Sequence, residues 1–81
     1  MEIQYSPQFK ESFHKFPKEI KKKFYKQANY LLRDICHPSL QIKKYDKNRD
    51  IWQVRVDRKI RFYFLIEKNT YILLDIKKHP N

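Results

Sequence analysis

Close to residue 50 the hydrophobic period of this chain changes. Before it, apolar residues recur at helical spacing: Phe9, Phe13 and Phe16 fall at i, i+4 and i+7, and Ile20, Phe24, Ala28, Leu31 and Ile35 form one stripe. After it they alternate. Trp52, Val54 and Val56 oppose Gln53 and Arg55; Ile60, Phe62, Phe64 and Ile66 oppose Arg61, Tyr63 and Leu65; Ile72, Leu74 and Ile76 are placed facing inward. Neither period can be satisfied by the other element, so a helical first half must pack on a sheet built from the second.

The boundaries follow from local chemistry. Ile3 and Tyr5 suggest a short first strand. Ser6 as N-cap and Pro7 at the first helical position open a helix over 7–15. Pro17 starts a second helix with Glu19 at its positive end, and His37-Pro38 should end it. Cys36, at the end of that apolar face, reads as a small core or boundary residue. Residues 38–49 read as a polar loop, and strands follow at 50–56, 59–66 and 70–77, joined by turns at Asp57-Arg58 and Lys68-Asn69. Glycine is absent, so tight turns must rely on Asn, Asp or Pro, and glycine-rich phosphate cradles are excluded. The order β-α-α-β-β-β predicts an α+β fold in a single domain over 1–81. Two N-terminal helices pack on one face of a mainly antiparallel four-stranded sheet, with the first strand on one edge.

Charge narrows the partners. The net charge is +10, with eight basic against four acidic residues up to position 40 and eleven against five beyond it. The whole domain is therefore basic, which points to polyanions, nucleic acid ahead of membrane, against the simpler reading of a lysine-rich soluble surface. Lys18, Lys22 and Lys26 at i+4 spacing are read first as a solvated helix face and second as a nucleic-acid contact. No stretch approaches the roughly 20 apolar residues of a membrane span, the start has no export signal, and the lone Cys36 has no disulfide partner, which together favour a cytoplasmic protein.

Few residues offer chemistry. Arg55 and Arg61 flank the Asp57-Arg58 turn on the non-core face, so their guanidinium groups can converge on one phosphate or else pair with Asp57 or Asp50. His79, beyond Lys77 and Lys78, is either a general acid or base near neutral pH or an ordinary chain-end residue. His14 and His37 are accounted for by packing and capping. No His, Cys, Asp or Glu set has metal-ligand spacing, and no serine carries a nucleophile motif, so no metal and no cofactor is expected.

Asp50-Ile51-Trp52-Gln53-Val54-Arg55-Val56, then Ile60-Arg61-Phe62-Tyr63-Phe64, then Tyr71-Ile72-Leu73-Leu74-Asp75-Ile76-Lys77-Lys78-His79 resemble the C-terminal sheet of the RelE/ParE toxin superfamily. Phe16-Pro17-Lys18-Glu19-Ile20 and His37-Pro38-Ser39-Leu40 resemble its inter-helix and post-helix segments. The RelE-like branch implies the toxin of a toxin-antitoxin pair, a metal-independent, ribosome-dependent endoribonuclease that cuts mRNA and is neutralised by a cognate antitoxin. The resemblance implies Arg61 as the phosphate-stabilising cation, Arg55 as a second cation and His79 as the acid/base group. It places Lys43 and Lys44, in the loop before the second strand, along the RNA backbone, and Arg58, Lys77 and Lys78 are read as further RNA-binding residues. A loop glutamate found in one branch has no counterpart between Leu40 and Asn48, so the general base is unassigned. Trp52 is read as packing and not as a base-stacking residue. The alternatives are a non-catalytic ParE-like inhibitor of DNA gyrase and an inactive basic binding module.

Overall fold

The computed structural model of the chain describes residues 1–79. A strand, β1 (Glu2–Tyr5), leads into helix α1 (Pro7–His14) and helix α2 (Lys18–Arg33). A 3₁₀ turn (Pro38–Leu40) then precedes β2 (Lys43–Asp46), β3 (Ile51–Arg55), β4 (Ile60–Glu67) and β5 (Thr70–Lys78). Ser6 caps α1 as its position predicts: its Oγ accepts the Phe9 N–H at 3.0 Å, and Pro7 removes a donor that would otherwise lack a partner.

The sheet has five strands in the order β1-β5-β4-β3-β2, with β1 parallel to β5 and every other pairing antiparallel. This corrects the expected four-stranded, mainly antiparallel sheet. The added strand, β2, lies inside the stretch read as a polar loop. Its sequence Lys43-Lys44-Tyr45-Asp46 has too little apolar content to show a period, and pairing with β3 makes it a strand. Leu40 and Ile42, on either side of its approach, anchor the segment: Leu40 is fully buried and Ile42 packs on the core.

Two further differences have local causes. α2 stops at Arg33 because Asp34 is extended (φ −156°) and its carboxylate accepts the Cys36 N–H at 3.0 Å. Ile35 and Cys36 consequently lie outside the helix and are exposed, contrary to the core and boundary roles expected of them. In β5, Tyr63 pairs with Asp75 but Phe64 pairs with Leu73, which leaves Leu74 as an extra residue in a β-bulge. The bulge reverses the alternation, so Tyr71 and Leu73 join Ile76 in the core while Ile72 and Leu74 are only half-buried.

Both helices pack on one sheet face. Phe9 and Phe24 from the helices meet Val54, Phe62, Phe64, Leu73 and Ile76 from the sheet, all essentially inaccessible to solvent. The Phe24 and Phe62 rings meet edge to face at 5.2 Å. Trp52 packs against this core, as expected. Without glycine, the left-handed backbone positions fall on Gln41, Asp50, Lys68 and Asn69. Lys68-Asn69 forms a two-residue hairpin turn with both φ positive, the geometry that matches strand twist; Gln41 and Lys68 extend the turn formers beyond the expected Asn, Asp and Pro.

Candidate functional site

The helix-free face of the sheet collects most of the residues singled out from the sequence. Arg55 pairs directly with Arg61, and Arg61 with Lys77, so three cations form one row across β3, β4 and β5. One step along the strands, Lys43, Gln53, Tyr63 and Asp75 form a second row. Directly opposed like charges on neighbouring strands are unfavourable, so the first row is a place where an anion would relieve repulsion.

Arg61 is not a free surface arginine. Its Nη1 donates to the backbone carbonyls of Asp57 and, at 3.0 Å, Ile60, which holds the guanidinium against the β3–β4 turn. The Asp57 carboxylate caps the same turn by accepting the Lys59 and Ile60 N–H groups at 3.0 and 2.9 Å and lies 3.8 Å from Lys23 Nζ. Asp50 pairs with Lys44 at 2.9 Å. Both carboxylates that could have neutralised the arginine pair thus face other partners.

His79 follows β5 directly, half-buried, with its backbone N–H donating to the Lys59 carbonyl. That bond continues the β4–β5 ladder past Lys78 and fixes His79 beside the turn that Arg61 holds. Lys77 and Lys78 are exposed at the end of β5, and Arg58 is exposed in the β3–β4 turn. Arg58 also lines a cleft of about 380 Å³ between that turn and α2, together with Lys23 and Lys26.

The two adjacent lysines separate. Lys43 pairs with Gln53 on the helix-free face, whereas Lys44 pairs with Trp52 on the other, its Nζ 4.1 Å from the indole centre. Lys44 is therefore not part of the cation row, and the strand alternation of β2 is the reason.

Sequence reasoning missed two contributors. Tyr45 lies over Tyr63 with ring centroids 4.6 Å apart, and Gln53 is buried beside Tyr63 without a helix to cover it. Asp57 is in the turn where the sequence placed it, and its carboxylate builds that turn beneath Arg61. Burial pushes the Tyr63 phenol above its usual range; the Tyr45 phenol adds to this, the Arg61 guanidinium opposes it, and the Asp75 carboxylate adds again. At neutral pH Tyr63 is thus a neutral hydroxyl. Among the described residues, no three His, Cys, Asp or Glu side chains are grouped to hold a metal ion, and no helix is long and apolar enough to cross a membrane.

No family model matches the sequence, and no curated protein matches it. Solved structures match its shape. The YoeB dimer from Staphylococcus aureus superposes with a TM-score of 0.80 at 20% identity, covering 99% of this chain and 98% of that one. The heterotetrameric YoeB-YefM toxin-antitoxin complex from the same organism gives 0.77 at 20% identity, over 96% and 95% of the two chains. The archaeal RelE-RelB complex from Pyrococcus horikoshii OT3 gives 0.80 at 13% identity, over 99% and 96%.

Proposed function

From the RelE/ParE fold that this chain has, we propose that it is the toxin of a toxin-antitoxin pair and acts as a metal-independent endoribonuclease that cuts mRNA on the ribosome. The observation that carries this reading is the Arg55–Arg61–Lys77 row, with His79 fixed at its edge by the bond to Lys59. A gyrase-binding surface has no need of an imidazole beside an anchored arginine.

The chemistry asks for three things once the RNA's own 2′-hydroxyl attacks the neighbouring phosphate: charge stabilisation, removal of a proton and delivery of one. Arg61 supports the first. With Nη1 held on the turn carbonyls, its Nη2–Nε edge is the one available to fork onto a phosphate without further ordering. Arg55 and Lys77 flank it and bring the additional positive charge the pentacoordinate transition state needs. His79 is the acid/base candidate, protonating the departing 5′-oxygen. Lys43 and Arg58 extend the basic surface for the RNA backbone, whereas Lys78 pairs with Ile60 and so belongs, like Lys44, to the other face; a helix-free face of mostly positive charge suits a single strand. The heterotetrameric S. aureus match and the P. horikoshii match are complexes with YefM and RelB, which supports a cognate antitoxin for this chain too, acting in the cytoplasm where mRNA is translated.

Inducing the protein in bacteria separates the readings. The expected result is failure of translation with cut mRNA whose fragments carry a 2′,3′-cyclic phosphate or 3′-phosphate and a 5′-hydroxyl. Fragments with 5′-phosphates, or collapse of DNA supercoiling before translation, would overturn it.

A further inference from the structure

Tyr45 is more than half exposed (54%), yet a backbone irregularity directs it. In β2, Lys44 pairs with Trp52 and Asp46 with Ile51, so Tyr45 is the unpaired residue of a bulge. Bulges re-aim side chains, and this one turns the Tyr45 ring over Tyr63, at 4.6 Å and an interplanar angle of 58°. Tyr63 is 5% exposed and Lys77 Nζ lies 5.2 Å from its centre. A rigid aromatic floor with one open ring on top therefore adjoins the cation row, because Tyr63 and Arg61 stand two residues apart on the same face of β4, about 7 Å along the strand. That separation is close to the reach from a nucleotide's phosphate to its base.

We infer that Tyr45, backed by Tyr63, is a stacking platform for one base of a single-stranded RNA, next to the phosphate held by Arg55, Arg61 and Lys77. The inference rests on the nuclease reading for the phosphate but concerns a binding element that reading does not require. RNA is favoured over a protein partner because Lys43, Arg61 and Lys77 surround the platform with Asp75 as the one acidic residue of the adjoining rows. A stacked base also tolerates any sequence, since every base presents a π-face.

The test uses a short single-stranded RNA carrying 2-aminopurine, blocked by a 2′-deoxy sugar at the cut nucleotide, and its abasic counterpart. Wild-type protein should quench the 2-aminopurine. Tyr45→Leu, which keeps an apolar cover on Tyr63, should lose the quench and bind roughly 5- to 150-fold more weakly. Tyr45→Trp should restore both. On abasic RNA, wild type and Tyr45→Leu should bind alike. Equal binding of the base-containing RNA by wild type and Tyr45→Leu overturns the platform, as does a deficit that persists on abasic RNA, or one confined to the antitoxin complex. Cleavage of unblocked mRNA on ribosomes by wild type, with equal RNA binding by the variant, sinks the platform and spares the nuclease; quenching without any cleavage on ribosomes does the reverse.

Discussion

Arg61 has a structural duty and a proposed chemical one, and its substitutions should separate them. Its place on one face with Tyr63 and opposite Arg55 could be read from the period-two pattern. Its bonds to the Asp57 and Ile60 carbonyls could not, because they depend on how the turn folds back. Arg61→Ala should lower unfolding free energy by about 1–2 kcal/mol through the lost turn bonds. It should reduce cleavage at least about a hundredfold through the lost transition-state cation. Arg61→Lys keeps the charge without the fork and should fall between on both counts. Denaturant unfolding and single-turnover cleavage measure the two effects, and a cleavage loss no larger than the fraction unfolded would remove Arg61 from the chemistry. His79→Gln should slow cleavage while ribosome binding, followed by sedimentation, stays close to wild type.

Among the elements, the strands show where pattern reading succeeds and where it stops. β3 and β4 turn Val54, Ile60, Phe62 and Phe64 inward as the alternation predicts because both lie inside the sheet with one face on the helices, although Gln53 and Tyr63 are also buried on the other face and Ile66 is exposed. β5 misleads because one extra residue, Leu74, exchanges its faces, and four consecutive apolar side chains from Tyr71 to Leu74 carry no mark of which is extra. The bulge is held from the N-terminal side: the Ser6 N–H donates to the Leu73 carbonyl at 3.0 Å and the Ser6 hydroxyl to the Leu74 carbonyl at 3.0 Å. Ser6 therefore caps α1 and fastens β1 to β5 with one side chain. Ser6→Ala should cost about 1–2 kcal/mol, at the upper end for an N-cap because two bonds are lost together. Hydrogen exchange should find the loss concentrated in Ile3 to Tyr5, and an unchanged β1 would show that the cap alone matters. Gln27 is the corresponding tie on the other side, its amide donating to the Ser39 and Arg55 carbonyls at 2.9 and 2.7 Å. Replacing it with Leu leaves both carbonyls short of a donor, and about 1–3 kcal/mol of destabilisation is expected by chemical denaturation.

For the whole molecule, burial raises the titration of Tyr5, Tyr63 and Tyr71 above the ordinary tyrosine range. The folded state holds these protons more tightly than the unfolded chain, so their contribution is complete below the unfolded value of about 10 and is lost as pH rises through the folded values. The melting temperature should therefore be flat from neutral pH to about pH 9 and fall beyond about pH 10. Tyr63→Phe should flatten that fall, and an identical alkaline slope in the variant would refute the assignment. The consequence of closing the sheet with β1 against β5 is kinetic. β1 and β5, 68 positions apart at the Ser6–Leu74 bond, must find each other across that span, so forming this edge of the sheet requires a distant loop closure and not a local turn. A growing polypeptide has no Lys77 to set beside Arg61, and no β5 for β1 to join, until residues 70–78 are made. Its basic row comes into being only with that strand, so a synthesis interrupted before residue 70 should release an unfolded fragment without it.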